Sequence, residues 1–234
     1  MIARRIFLTG AASLALSACS GNLIGPPEAG MIYPLRPALP AAGGDKVHWS
    51  LAIVLSDPAG GLDGDRIALL QPDGSMDYYA KANYPAPLPT LLQEVVVDGF
   101  EASGRIEAVA KEQDALHADY NLVLAVKDFE TRYAERDGIP VAQVTFYVNL
   151  ATTHGRRILA GFTTTQTAPA TANTAAAAAQ ALQQALGKAV AAIVDWTFAN
   201  APATVPGQPP GAASPDKPAE QLLHEMTHTR TAPQ

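Results

Sequence analysis

Near the C-terminus, in the stretch "LLHEMTHTR", residues His224, Glu225 and His228 spell H-E-x-x-H. On a helix this spacing sets two imidazoles one turn apart beside a carboxylate, which is how many zinc proteases hold a metal and activate water. A working zinc site also needs a third protein ligand and outer partners that aim the histidines. Only "TRTAPQ" follows His228, so neither an H-x-x-G-x-x-H continuation nor a distal glutamate comes after the motif. The motif therefore reads as a polar tail that spells it by chance, and no metal site is expected. A zinc peptidase acting through His224, Glu225 and His228 is the least favoured alternative.

Other constellations fall short in the same way. Asp63, Asp65 and Asp73 lie close together in "LDGDRIALLQPDG", but a calcium loop needs a ligand where Ile67 stands. "AGGLDGD" lacks the G-K-[ST] ending of a phosphate loop, and no G-x-S-x-G is present. His48, His117 and His154 are scattered between turns rather than grouped. No catalytic residue and no cofactor is expected, and the chain reads as a non-enzyme.

One residue does invite chemistry. The first nineteen residues, "MIARRIFLTGAASLALSAC", carry Arg4 and Arg5, a short apolar run from Ile6 to Leu16, and small residues ahead of Cys19, the single cysteine. This is the layout of an export signal, and the run is too short to span a bilayer. "LSAC" resembles the lipobox of bacterial lipoproteins, which implies cleavage before Cys19 and lipidation of its sulfur and its new amino group. One acyl chain binds a membrane marginally and two hold it firmly, so the usual three would anchor the chain stably. With Cys19 acylated no thiol remains for a disulfide, and the fold must stand on packing alone. Ser20, where inner-membrane lipoproteins often carry aspartate, is similar to the outer-membrane sorting pattern. "RRIFL" leaves the export route, general or twin-arginine, open.

The composition bounds what such an anchor could carry. The chain has 234 residues, 48% of them hydrophobic, enough for one ordinary domain with appendages. Its formal charge is -6, and about -8 once Arg4 and Arg5 leave with a signal, which excludes nucleic acid as a natural partner. From Ser20 to about Lys46 proline and glycine recur too often for helix or central strand. The stretch reads as a flexible tether, about 30 Å end to end on average.

Regular structure is expected to begin at "HWSLAIVLSDP", where Trp49, Leu51 and Ile53 alternate at period two, as in a strand. "RIALLQPDGSMDYYAK" gives two short strands about the turn Pro72-Asp73-Gly74, a hairpin. In "TLLQEVVVDGF" the residues Leu91, Leu92, Val95 and Val96 share one helical face, with Pro89 just before the first turn and Gly99 closing the end. "HADYNLVLAVKDFETRYA", "IPVAQVTFYVNLATT" and "RRILAGFTTTQT" read as three strands of an antiparallel meander. Leu182, Leu186, Ala189, Ile193 and Trp196 then form one apolar stripe along a long helix. From Ala201 the Pro, Gly and Ala content forbids a compact structure.

The expected fold class is therefore α+β: a single domain with a mixed, mostly antiparallel sheet of hairpin and meander, covered by two helices. The expected organisation is a signal peptide over 1–18, a lipidated tether over 19–46, a domain over 47–200 and a tail over 201–234. The tyrosine-proline segment "DYYAKANYPAPLP" offers rigid amphipathic area of the kind favoured at binding surfaces, through Tyr78, Tyr79 and Tyr84. The same rings could equally cap the core where strand meets helix.

Together, "YPL" (Tyr33 to Leu35), "WSLAIVLSDPAGGLDGDRIAL" with Trp49, Pro58, Leu62, Asp63, Arg66 and Ile67, "YYAKANYPAPLPTLLQ", "ADYNLVLAVKDFE" and the closing helix resemble the ABC-type transport auxiliary lipoprotein family, which includes the paraquat-inducible protein C lipoproteins. Tyr84 stands where that family often carries tryptophan. The resemblance implies a non-catalytic lipoprotein at the outer membrane, facing the periplasm. It also implies a transporter partner whose periplasmic subunit carries mammalian-cell-entry (MCE) domains and which moves lipids between membranes. Tyr78, Tyr79 and Tyr84 are the candidate contacts for that subunit. Phospholipid is a further candidate partner, a homo-oligomer stays open, and a lipid-carrying periplasmic module is the alternative from another functional class.

Overall fold

The computed structural model describes residues 30–203 except 40, 42, 57, 59, 115 and 116. Cys19, the signal over 1–18 and the histidine motif at 224–228 lie outside the described residues, as does the tail from residue 204. In chain order the elements are β1 (Met31–Ile32), β2 (Val47–Leu55), β3 (Arg66–Leu70), β4 (Met76–Asn83), α1 (Leu88–Ser103), β5 (Ile106–Lys111), β6 (Tyr120–Arg132), β7 (Val141–Thr152), β8 (Ile158–Pro169) and α2 (Ala175–Asn200). A single 3-10 turn at His154–Arg156 joins β7 to β8.

The strands form one mixed sheet around β6. The expected meander is present, with β6, β7 and β8 antiparallel in sequence, and so is the hairpin of β3 and β4. The opposite edge of β6 is shared: its start pairs parallel with β2 (Leu51 beside Tyr120), and its end pairs parallel with β3 (Leu69 beside Thr131). Both helices pack on the sheet and on each other. Between them lie Leu51, Ile53, Leu122, Leu124, Phe146, Val148, Leu182, Leu186 and Ile193, all buried as the strand alternation and the helical stripe require.

Local chemistry fixes the ends. In the hairpin turn Asp73 accepts from the Ser75 amide at 2.9 Å and hydroxyl at 2.6 Å, and Gly74 takes φ +83°, which a side chain would resist. Thr174 caps α2 by accepting from the Ala177 amide at 3.2 Å.

Three expectations need correction. Gly99 does not close α1; the helix runs on to Ser103 and stops at Gly104, whose φ of +63° makes it the left-handed cap. Pro89 lies inside the first turn of that helix rather than ahead of it, where its missing N–H costs nothing. The tether is shorter than its composition suggests, because Met31–Ile32 pairs parallel with Ala82–Asn83 and the residues after it form a strap across α2. Leu35 is buried, the Tyr33 amide donates to the Asn83 carbonyl at 2.8 Å, and the Arg36 amide donates to Gln183 Oε1 at 2.9 Å. Proline suits such a strap, since it needs neither helix nor ladder bonds. A further strand, β5, was not expected at all; it adds in parallel to β2 after the crossover through α1.

Small residues set how closely these layers approach. A Cβ on Gly99 would drive into Val190 of α2, and one on Gly187 would stand 2.6 Å from the Ala38 carbonyl oxygen of the strap. Gly99 is therefore retained within a helix for packing. Replacing it by alanine should lower stability despite alanine's better helix propensity, worth about 1 kcal/mol, because overpacking costs roughly 1–3 kcal/mol. Thermal unfolding of Gly99→Ala is expected to fall by a few degrees, and a rise would contradict the packing account.

Candidate functional site

β4 places Tyr78 and Tyr79 on opposite faces of the hairpin, as strand geometry dictates. The Arg66 guanidinium lies 4.0 Å above the centre of the Tyr78 ring, and the Tyr78 hydroxyl donates to the Gly61 carbonyl at 3.0 Å. Tyr79 points the other way, with its hydroxyl 2.9 Å from Thr131 Oγ1 and 2.9 Å from the Tyr133 hydroxyl. Tyr133 in turn donates to Asn173 Oδ1 at 2.7 Å. Its one proton is thereby used, so Tyr79 donates to Tyr133 and Thr131 donates to Tyr79. This chain of hydroxyls ties the hairpin to β6 and to the residue before the α2 cap. Burial pushes the Tyr79 hydroxyl pKa well above the ordinary phenol value, so it acts only as a neutral donor and acceptor at physiological pH.

Tyr84 is different. It is 2% exposed, stands edge-on to Phe129 with ring centres 6.3 Å apart, and presents nothing to a partner. Its hydroxyl has no hydrogen-bond partner among the described residues, and burial drives its pKa far upward. The expectation that three tyrosines form one contact is thus corrected: Tyr84 belongs to the core, and only the half-buried Tyr78 and Tyr79 reach the surface.

Sequence reasoning missed the apolar groups nearest them. Met31 (63% exposed) and Ile32 (55%) lie beside the end of β4, and Met76 (41%) stands at its start. Their only sequence signal was a Met-Ile pair inside a stretch whose prolines and glycines read as linker. The strap beyond β1 adds a groove of about 550 Å³ along α2, with Pro37, Ala38 and Ala191 among its walls and Arg36 and Lys188 among its polar groups.

A second polar cluster lies on the other side of β6. Arg132 reaches Glu130 at 2.8 Å and Asp128 at 2.8 Å, the Phe129 amide donates to Glu130 at 2.7 Å, and Gln143 donates to Asp128 at 3.0 Å. Burial pushes the Glu130 pKa up, partly offset by the Arg132 hydrogen bond. Its oxygens are satisfied from within, which marks a structural network. Among the described residues no three His, Cys, Asp or Glu side chains come together as a metal would need, and no helix is long and apolar enough to cross a membrane. His48 stands 3.6 Å from Glu107, while His117 and His154 lie in separate turns.

A family model for the ABC-type transport auxiliary lipoprotein component matches residues 34–194. The chain belongs to this family. Its members are auxiliary lipoproteins of ABC-type transport systems, so a transporter is the partner and the cell envelope the location. A Xanthomonas campestris protein of known crystal structure shares 30% identity over 73% of this auxiliary lipoprotein and 96% of its own length, with a TM-score of 0.64. An uncharacterised protein shares the fold at 15% identity, covering 71% of this chain and 99% of its own, with a TM-score of 0.52. Lipoprotein GNA1162 from Neisseria meningitidis is a weaker likeness, at 12% identity, 65% and 99% coverage and a TM-score of 0.33. No curated protein matches.

The tyrosines give opposite mutational signs. Tyr84→Phe removes a buried hydroxyl that has no partner among the described residues and should raise stability by about 1 kcal/mol, whereas Tyr79→Phe breaks two hydrogen bonds and should lower it by roughly 1–2 kcal/mol. Chemical denaturation of both variants checks the contrast; equal effects would show that the hydroxyl network contributes nothing.

Proposed function

We propose that this auxiliary lipoprotein is held at the outer membrane, faces the periplasm, and serves an MCE-type intermembrane lipid transporter without catalysing a reaction itself. The observation that carries this reading is the family match over residues 34–194 combined with "LSAC" at Leu16–Cys19. In this reading residues 1–18 are removed, Cys19 is acylated, and the tether ahead of Gly30 spaces the domain from the bilayer. Ser20 supports the outer-membrane destination. The periplasmic MCE subunit docks along β4, where Tyr78 and Tyr79 supply ring area and Met31, Ile32 and Met76 are exposed for burial. Rings held by Arg66 and Thr131 have little freedom left to lose on binding, which favours affinity.

Two measurements test the proposal. Intact mass of the membrane-extracted protein should show a chain beginning at acylated Cys19, and Cys19→Ala should move it to the soluble fraction; a water-soluble wild type would refute anchoring. Co-purification with the MCE subunit should weaken about tenfold or more in the Tyr78→Ala, Met76→Ala double variant, the loss expected on truncating residues central to an interface. An undiminished complex with a folded variant would refute the β4 contact.

A further inference from the structure

Two cations stand on opposite walls of the groove along α2. Arg36 belongs to the strap and Lys188 to the helix, and the lining between them includes Pro37, Ala38, Gly187 and Ala191. Lys188 leans outward, its Nζ donating to the Thr167 carbonyl of β8 at 3.1 Å, while the Arg36 amide on Gln183 holds the strap to the other side of α2. Among the described residues neither cation has a carboxylate within ion-pair distance. The groove measures about 550 Å³, room for several aliphatic side chains. It therefore suits an apolar surface bordered by acids on both sides.

The chain supplies such a surface beyond its last described residue. The stretch "PAEQLLHEMTHTR" covers residues 218–230 and carries helix signals in order: Pro218 for a first turn, Glu220 close behind it and Arg230 at the end. Set on a helix, Ala219, Leu222, Leu223 and Met226 share one face, Glu220 and Glu225 border that face on opposite sides, and His224 and His228 lie at the back. Reach is adequate. The Tyr120 hydroxyl donates to the Pro202 carbonyl at 2.8 Å and so fixes where the tail departs, at the end of α2. From Asn200 back to Lys188 the helix rises about 18 Å, and the fourteen residues of 204–217 span about 20 Å on average. A tether whose mean span matches the distance to be bridged gives the highest local concentration.

We propose that residues 218–230 dock in this groove as a short helix running antiparallel to α2. The levels agree: Glu220 and Glu225 are five residues apart, about 7.5 Å of helix rise, and so are Lys188 and Gln183, the residue that holds Arg36. The sides agree also. In the antiparallel arrangement Glu220 meets Lys188 on the β8 side, Glu225 meets Arg36 on the strap side, and Leu222, Leu223 and Met226 enter between them. A segment too short to hold a helix alone gains its order from a surface already built. Glu225 is then an ion-pair partner rather than a base, and both imidazoles of the H-E-x-x-H face water. The inference concerns this chain alone and does not rest on the transport reading.

Hydrogen exchange of the full-length protein, read by mass spectrometry, tests the docking. Amides of residues 222–230 are expected to exchange at least tenfold more slowly than in the isolated peptide 218–230, at every protein concentration. Leu223→Asp, and separately Lys188→Glu, should remove that protection while the β6 and β7 amides keep theirs. Adding Glu220→Lys to Lys188→Glu should restore it, and adding Glu225→Lys instead should not. A wild-type tail that exchanges at the peptide's rate, with or without co-extracted phospholipid in the groove, would overturn the proposal. So would protection that fades on dilution, which would come from a second copy, or a folded Lys188→Glu, Glu220→Lys double variant that stays unprotected.

Discussion

Strand β6 has to satisfy three neighbours with one backbone, and the architecture follows from how it does so. One edge is committed to β7 along its length, while the other serves β2 at its start and β3 at its end. The register with β7 shifts between Val126 and Asp128, and this shift resets which residues face inward. Tyr120, Leu122, Leu124 and Val126 are buried before it; Phe129 and Thr131 are buried after it. A bulge adds one residue, and one residue inverts the alternation of a strand. Without it Phe129 would leave the core and Asp128, with its ion pair to Arg132, would enter. The same shift delivers Thr131 to the Tyr79 hydroxyl, so the hairpin's position depends on it.

Much of this was legible in the residues because the signals were local and periodic. The hairpin turn at Asp73-Gly74, the alternation in β2 and the stripe of α2 each need only a short window to be read, and each occurs as expected. What escaped had its cause elsewhere in the chain. Gly99 looks like a helix terminator because glycine usually is one; only the nearness of Val190, ninety-one positions away, gives it another purpose. β5, with its two charges, becomes a strand because α1 returns the chain beside β2. Tyr84 shows the limit on the functional side. Beside three prolines it has the composition of an exposed contact, yet Phe129 claims its ring. The proposed acylation of Cys19 and the family resemblance rest on short motifs, which need no tertiary information to be recognised.

Alanine and glycine govern the interior as much as the large side chains do. Ala178, Ala181, Ala185 and Ala189 of α2 are buried and thin. They let α2 lie close to β7 and β8 on one side and to α1 on the other, while Gly187 admits the backbone of the strap. Close approach strengthens dispersion contacts atom by atom and leaves little room for larger replacements. The alanine-rich run that looks featureless in the sequence is therefore among the most constrained parts of the molecule.

The strap has a mechanical consequence. Tension arriving from the N-terminal side meets a two-residue parallel pairing, then the single bond from Tyr33 to Asn83, then the buried side chain of Leu35, then the bond from Arg36 to Gln183. These attachments lie in series, so a pull would break them one after another, as in peeling tape, instead of shearing a whole ladder at once. The β6–β7 pairing would remain unloaded until the strap had come away. A domain attached in this way can lengthen its reach under force by a handful of residues and snap back without unfolding.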